Sequence, residues 1–345
     1  MKKRKRNIFF IFSLFVFFFS LIILFLSSEN PSFASSLNAS LGAPIRSFLL
    51  ILSNPVPFSL FEAILVLSPG VLALLLYFLH RRSNKGFFHR FLCFTGIFLL
   101  IFSLLISTVF VGYGVDIANL PENLSEDDFV FSLLYLKDRI NSFDGTVFLE
   151  KDAMSEKIFS AYYRLSLPET YMTCVPPEIK AIKNERLASK LGILGSFSFL
   201  TSEISINFSA PEYTVVFSIA HEMAHLFGIS GEAEASFYAY LAANETGDSD
   251  IIYSVSLSAF EFLAQDLSRI NPEKYKEIYL SLSDVAKSDL SKYRKFYNEN
   301  RSSVSICTEK TNEALLEFAD HSGEKSYSAV TKLLVSYLTA DKLCN

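Results

Sequence analysis

Three long apolar runs occupy the N-terminal part of the chain, and the remainder alternates between apolar and polar positions. The runs cover Ile8–Leu26, about residues 58–79 and about residues 91–113. An α-helix rises about 1.5 Å per residue, so each run is long enough to cross a hydrocarbon core about 30 Å thick. We therefore predict three transmembrane helices within residues 1–113, followed by a separate domain in residues 114–345.

Basic residues are distributed unevenly around these runs and predict their orientation. Five Lys and Arg lie within residues 1–6 and four within residues 80–90, whereas Arg46 stands alone between the first two runs. Because segments rich in Lys and Arg stay in the cytoplasm, we expect the N-terminus inside and the C-terminal domain outside the cytoplasmic membrane. A cleaved signal peptide is the alternative for the first run, although the apolar stretch is long for one.

Helical spacing dominates the outer domain and is interrupted once by a period of two. Residues 195–200 and 203–208 alternate, which predicts a β-hairpin with its turn at Thr201 and Ser202. Helices are expected at residues 129–140, 152–167, 209–228, 232–243, 250–270, 274–298 and 312–339. The predicted fold class is therefore mainly α (α+β), with one small sheet.

Charge separates the two parts of the chain and argues against nucleic-acid binding. Residues 1–113 hold ten of the 31 Lys and Arg but two of the 36 Asp and Glu, so the outer domain is acidic. An acidic surface without a basic patch is unsuited to bind a phosphate backbone. Cys93 lies in the third apolar run, and the pairing of Cys174, Cys307 and Cys344 outside it stays open.

The sequence His221-Glu222-Met223-Ala224-His225 is an HExxH motif inside a predicted helix. Residues four apart share a helix face, so both imidazoles can reach one ion. Glu222 is placed to accept a proton from a water that the ion activates, which is the chemistry of zinc hydrolases. We therefore predict one Zn²⁺ per chain, with His221 and His225 as ligands and Glu222 as the catalytic base.

The third protein ligand distinguishes the known zinc-peptidase layouts. Gly231 stands where the HExxHxxGxxH layout needs a histidine, and no methionine follows Met223 to form a Met-turn. The apolar lead-in to the motif is too short for an intramembrane protease. The remaining candidate is a downstream glutamate, either Glu232 or Glu234. Residues two apart on a helix point in different directions, so only one of the two can face the ion. We expect Glu232, because it shares a stripe with Ser236 and has small alanines beside it.

Four further polar residues are candidates for contacts with a substrate. Tyr253 and His321 are candidates to stabilise an oxyanion. Glu203 and Asn207 lie on a strand expected at the edge of the sheet, where an extended peptide can pair. A purely structural role is the competing interpretation of each.

Several segments resemble a family of bacterial membrane proteins catalogued as a domain of unknown function. The resemblance covers nearly the whole chain and rests on "PEIKAIKNERLASKLGILGSF", "SEISIN", "HEMAHLFGISGEAEASFYAYLA", "YSVSLSA", "NEALLEF" and "SYSAVTKLLVSYL". It implies three membrane helices and a zincin-like, more narrowly gluzincin-like, zinc metallopeptidase domain with Glu232 as ligand. Related glutamate zincins often carry an Asp four residues after that ligand, whereas this chain has Ser236, whose hydroxyl supports a histidine more weakly.

Together these features predict a membrane-anchored, zinc-dependent metallopeptidase that hydrolyses peptide bonds on the outer side of the membrane. Its expected partners are a protein or peptide substrate and membrane lipid. A non-catalytic sensor or scaffold that retains the zincin fold is the first alternative. A zinc hydrolase of a non-peptide substrate is the second.

Overall fold

The described part of the chain forms two compact units. The computed structural model describes residues 2–81, 91, 94–100, 124–148, 150–165, 175–301 and 328–343. The first unit comprises residues 1–113, 170–175 and 198–203, and the second comprises residues 114–169, 176–197 and 204–345.

The first unit is mainly helical in its described residues. Its helices include α1 (Lys2–Glu29), α2 (Pro31–Leu37), α3 (Ala43–Ser53) and α4 (Leu60–Arg81), with a π-helical segment at Asn38–Gly42. Within the residues that the structure describes, one helical segment, Phe10–Ser27 of α1, is long and apolar enough to cross a membrane. By length and composition, this helix fits a membrane anchor or a signal sequence. Three spans stay a prediction, and residues 92, 93 and 101–113 of the third lie outside the described residues.

The start of α4 is held by Glu203, which belongs to the same unit. Its carboxylate accepts hydrogen bonds from the backbone N–H groups of Leu60 and Phe61, at 3.1 and 3.0 Å. The first N–H groups of a helix lack partners within it, and a carboxylate there also interacts favourably with the helix dipole. Glu203 is 1% exposed. The structure thus gives Glu203 a capping role, which is the structural interpretation that competes with a substrate contact.

The second unit is mainly helical, as predicted. Its helices are α5 (Glu126–Asn141), α6 (Lys151–Arg164), α7 (Glu185–Leu191), α8 (Glu212–Leu226), α9 (Glu232–Thr246), α10 (Ser249–Ile270), α11 (Pro272–Leu280), α12 (Asp284–Asn300) and α13 (Ala329–Leu343). Helices α8, α9 and α10 pack against one another, α5 packs on α10, and α13 packs on α9. Residues 312–327 of the last predicted helix lie outside the described residues.

The predicted helix at residues 274–298 is two helices, α11 and α12, joined by a short turn. The Ser283 hydroxyl caps α12 by accepting from the N–H of Ala286 at 3.2 Å. The side chain of Asn141 donates to the Ser281 carbonyl at 2.9 Å and accepts from the Ser283 N–H at 2.7 Å. The break therefore depends on a cap and on a distant side chain, which the spacing of apolar residues does not reveal.

Helix α8 runs through the core of the second unit. Val216, Ile219 and Met223 are fully buried on it. The Tyr162 hydroxyl of α6 donates to the Ala220 carbonyl at 2.8 Å, inside the same core. A helix that is apolar around most of its circumference is buried by its neighbours. The packing therefore holds the HExxH segment on a rigid element.

A three-stranded sheet packs against α8, in the order β1-β3-β2. The strands are β1 (Lys180–Ala181), β2 (Gly195–Phe197) and β3 (Ile204–Ile206). Strands β2 and β3 are antiparallel, as the hairpin prediction requires, and β1 adds to β3 in parallel. The prediction that residues 203–208 form the edge is wrong, because β1 covers the far side of β3. A strand of two residues is too short to show a period of two.

Candidate metal centre

Helix α8 presents both histidines of the motif on one face. The rings of His221 and His225 lie 4.9 Å apart between centroids and are nearly perpendicular, at 84°. Each side chain is 13% exposed, so both are largely shielded but reach the surface of the domain. The spacing of four residues thus brings the two imidazoles together, as expected for one turn of helix.

Helix α8 ends in a Schellman turn that also orients His225. The N–H of Gly228 bonds to the His225 carbonyl and the N–H of Ile229 bonds to the Ala224 carbonyl, each at 3.0 Å. Gly228 has a φ of +88°, the left-handed conformation that this turn needs. The turn brings the Ile229 carbonyl to 2.7 Å from Nδ1 of His225. Because a carbonyl only accepts, Nδ1 carries the hydrogen and Nε2 of the neutral ring keeps a lone pair.

Replacing Gly228 by Ala is expected to lower the free energy of unfolding by about 1–2 kcal/mol, because a Cβ is strained in the left-handed region. The midpoint of urea unfolding, followed by circular dichroism, measures this loss. Gly228→Asn is the matched control and should recover part of it, since Asn tolerates this conformation better. An unchanged midpoint for Gly228→Ala would mean that the turn does not need its left-handed residue.

Helix α9 brings Glu232 and Ser236 to the histidines. Oε2 of Glu232 lies 3.1 Å from Nε2 of His221, and Oε1 lies 3.6 Å from Nε2 of His225. The Ser236 hydroxyl lies 3.1 Å from Nδ1 of His221 and donates its hydrogen to the Glu232 carbonyl at 3.0 Å. A hydroxyl has a single hydrogen, so Ser236 accepts from Nδ1. This leaves Nε2 of the neutral His221 ring with its lone pair toward Glu232.

The three side chains together form a cluster of potential metal ligands. One ligating atom from each of His221, His225 and Glu232 lies within 4.8 Å of the other two. With both Nδ1 hydrogens committed elsewhere, two nitrogen lone pairs and a carboxylate face one another, which is stable only with a proton or a metal ion between them. Two imidazole nitrogens and a carboxylate oxygen are a ligand set that Zn²⁺ accepts. The donor set therefore fits the predicted ion.

The pKa shifts of Glu232 and His225 also show that the cluster favours positive charge. When both rings are protonated, their hydrogen bonds to Glu232 hold the pKa of that carboxylate far below its usual range. Burial disfavours the charged ring of His225, but the bond to Glu232 and the charge of Glu222 outweigh it and raise the pKa. The side chain of Glu232 is 79% exposed, so the centre is reached from the Glu232 side.

Glu234, the alternative ligand, turns away from the histidines. Its carboxylate bonds to its own backbone N–H, one of the first N–H groups of α9 that lack a partner in the helix. Burial raises its pKa. A Cβ at Gly231 would collide with the Glu234 carboxylate, which therefore lies over the glycine at the helix start. The structure thus selects Glu232 rather than Glu234 as the carboxylate that joins the two histidines.

Glu222 points toward the edge strand β2. A Cβ at Gly195 would lie 2.9 Å from both Cγ and Oε1 of Glu222, so only a glycine permits this approach. The N–H of Phe197 donates to the same carboxylate. Burial raises the pKa of Glu222, although the charges of the two histidines oppose the shift. A carboxylate with a raised pKa is better matched to accept a proton near neutral pH.

Tyr253 and Asn207 have structural contacts that account for their polar groups. The Tyr253 hydroxyl donates to Oδ2 of Asp289 at 2.8 Å, and its ring stacks on Phe143 at 4.2 Å. The amide of Asn207 donates to the Ile193 carbonyl at 3.2 Å, and the Asn207 side chain is fully buried. Asn207 therefore positions the loop before β2, so its link to the site is indirect. His321 lies outside the described residues.

Three residues of the site have no counterpart among the sequence predictions. Gly195, Phe197 and Ile229 act through the absence of a side chain or through a backbone group. The glycine that opens the predicted strand was a signal for close approach, since glycine weakens a strand unless a neighbour needs the space. A backbone N–H or carbonyl is common to nearly all residue types, so no such signal existed for Phe197 or Ile229.

Comparison with known proteins gives a family but no function. A family model described as "Protein of unknown function (DUF3810)" matches residues 38–335. This match confirms the part of the sequence-based expectation that concerns a family of unknown function. No curated protein matches the chain. No solved structure matches it either.

Proposed function

We propose that this chain, which belongs to the family "Protein of unknown function (DUF3810)", is a membrane-anchored, zinc-dependent peptidase. One observation carries the proposal: His221, His225 and Glu232 converge through atoms that lie within 4.8 Å of one another. Glu222 stands next to His221 on the same helix and reaches toward the edge strand. A metal ligand set beside a buried carboxylate is the arrangement that metal-assisted hydrolysis requires.

The residues of the chain divide the chemistry between them. His221, His225 and Glu232 would hold zinc, which would act as a Lewis acid by polarising the scissile carbonyl and lowering the pKa of a bound water. Glu222 accepts the proton of the attacking water on its carboxylate and then gives it to the nitrogen of the leaving amine. Ser236 fixes the His221 ring, as the Ile229 carbonyl does for His225, so both Nε2 atoms stay directed at the Glu232 carboxylate.

Strand β2 supports a peptide as the substrate. It lies at the edge of the sheet formed by the described strands. The carbonyl of Leu194 accepts a hydrogen bond from the N–H of Asn207 at 2.8 Å, so Leu194 is bonded to the neighbouring strand β3. Along an antiparallel pair every second residue is bonded in this way, so the backbone N–H and carbonyl groups of Gly195 and Phe197 point away from β3. Phe197 meets Glu222 on that outward side. An extended peptide that adds to this edge would lie along the catalytic carboxylate.

Hydrolysis of an unfolded protein by the purified full chain, embedded in lipid nanodiscs, tests the proposal. Peptide products that appear with the wild-type chain and not with Glu222→Gln support a peptidase. Zinc content alone does not decide the question, because a non-catalytic sensor or scaffold with the same ligand set would bind zinc as well. Absence of products with every unfolded protein tested would favour that alternative.

We expect residues 114–345 to lie outside the cytoplasm, because nine Lys and Arg flank the predicted cytoplasmic ends and Arg46 alone lies in the first outer loop. A membrane-impermeant maleimide, added to intact cells that carry a cysteine-free chain with Asp152→Cys, should label that cysteine. Asp152 is exposed on α6. Ser83→Cys in the same background is the control and should react after permeabilisation alone. The reverse pattern would invert the proposed topology.

A further inference from the structure

A cleft of about 570 Å³ lies beside the candidate metal centre. Phe217, one turn before His221 on α8, lines the cleft, and its ring centroid is 5.9 Å from that of His221. Leu194, which directly precedes Gly195 of β2, lines it as well. A group bound in this cleft therefore lies next to both the metal ligands and the edge strand.

The walls of the cleft are rich in aromatic rings. They come from α8, α10, α11 and α12 and include Phe217, Phe262, Tyr275, Tyr279, Tyr293 and Tyr297. Ring faces attract a cation through their quadrupole, and they also pack against the aliphatic stem of a long side chain. The volume lies within the range of roughly 300–1,000 Å³ that is typical of ligand pockets.

A single carboxylate, that of Glu261 on α10, belongs to the lining. Its Oε2 accepts a hydrogen bond from the hydroxyl of Tyr213 at 2.9 Å, and Tyr213 is 1% exposed. Burial raises the pKa of Glu261 to about 7, although Tyr213 and the charge of Arg294 oppose the shift. Tyr213 and Arg294 therefore offset only part of the free-energy cost of burying the ionised Glu261 carboxylate.

Arg294, on α12, is the cationic residue of the lining. It is exposed to solvent, so water and salt screen its repulsion of another cation. An apolar occupant would desolvate Glu261 further and would favour its protonated form, whereas a cationic occupant would stabilise the ionised form.

We propose that the cleft binds a positively charged side chain of the peptide substrate, with its stem along the aromatic walls and its charged group at Glu261. This proposal rests on the proposed peptidase function and specifies its substrate class. The side chain would be an Arg or a Lys, held next to the peptide bond that lies over the metal centre. The contact between Glu261 and this side chain is non-covalent, so Glu261 selects the substrate and takes no part in the chemical step.

Binding to the full chain carrying Glu222→Gln, in nanodiscs, tests the proposal without turnover. The probes are fluorescent Gly-Ala hexapeptides with one Arg or one norleucine at each position in turn, followed by anisotropy at pH 8. At the best position we expect Arg to bind roughly 10–100-fold more tightly than norleucine, the range of a hydrogen bond to a charged group. Adding Glu261→Gln should abolish that preference.

Glu245→Gln is the matched control, because Glu245 is exposed at the end of α9 and does not line the cleft. It should keep the preference for Arg. Equal or tighter binding of norleucine, or a preference that survives Glu261→Gln, would overturn the proposal even if the wild-type chain hydrolyses peptides. Glu261-dependent binding of Arg without any hydrolysis would instead overturn the peptidase assignment and leave the cleft as a binding site.

The same peptides give a second readout through pH. The groups that face Glu261 are Tyr213 of α8, Tyr275 of α11 and Arg294 of α12. Burial raises the pKa of both tyrosines, so neither changes charge between pH 8 and pH 5.5. Protonation of Glu261 in that interval should remove most of the preference for Arg. A preference that is equal at both pH values would show that another group selects the cation.

Discussion

Replacing Glu222 by Gln is expected to leave zinc bound and to slow peptide hydrolysis by about 10²–10⁴-fold, the usual contribution of general-base catalysis. Gln has nearly the same shape as Glu and should still fit in the space that Gly195 leaves open by having no side chain. The amide cannot accept the proton of the attacking water. Turnover of an unfolded protein, together with zinc content measured by mass spectrometry, provides both quantities for one sample.

The control for this variant is Glu234→Gln, which makes the same chemical change on α9. Its carboxylate bonds to its own backbone N–H and not to the metal ligands. We expect turnover within a few-fold of the wild type. Hydrolysis by Glu222→Gln at a rate near that of the wild type would remove Glu222 from the mechanism, and with it the peptidase assignment.

Replacing Glu232 by Ala is expected to remove most of the bound zinc, whereas Glu234→Ala should keep it. Glu232 reaches both histidines, at 3.1 and 3.6 Å. Loss of a group that only supports a ligand weakens metal binding by roughly 10–100-fold, so loss of the ligand itself should cost at least as much. Zinc affinity, measured by competition with a chelator of known affinity, resolves the two variants.

The two alanine variants are matched because they remove the same group two residues apart on α9. Unfolding midpoints should accompany the affinities, so that loss of zinc is not confused with loss of the fold. The opposite result, with zinc lost from Glu234→Ala and kept by Glu232→Ala, would require α9 to turn about its axis. His221 and His225 would keep their roles in that case.

Much of the fold was predictable because its elements carry strong periodic signals. The helices α8 and α10 repeat apolar residues at helical spacing over their whole length, and the β2–β3 hairpin shows a period of two. Strand β1 escaped prediction, since Lys180 and Ala181 are too few to show a period. That omission placed Glu203 and Asn207 on an edge, although β3 is the central strand.

The site was predictable to the extent that one helix holds it. His221, Glu222 and His225 lie on α8, so their spacing alone determines their relative positions. The choice between Glu232 and Glu234 depends on how the chain reverses after α8, which is a property of the turn at Gly228 and of the start of α9. Helical spacing favours Glu232 through its stripe with Ser236, but it does not show which carboxylate the turn brings to the histidines.

The contacts that surround the site were harder to predict from the sequence, for the same reason. The Ile229 carbonyl, the Phe197 N–H and the space above Gly195 become parts of the site only when the turn, the strand and the helix are in place. Glu261 reaches the neighbouring cleft from a position 40 residues beyond His221 in the chain. Such groups are found from packing and not from local pattern.

Titration of the metal-free full chain with zinc, with hydrolysis of an unfolded protein followed at each addition, is the most direct measurement of a zinc-dependent peptidase. We expect the rate to rise until one zinc is bound per chain and then to level off, as the single cluster of His221, His225 and Glu232 among the described residues predicts. The Glu222→Gln chain should bind the same amount of zinc with little or no hydrolysis. A wild-type chain that binds one zinc and hydrolyses no protein or peptide would contradict the proposed function.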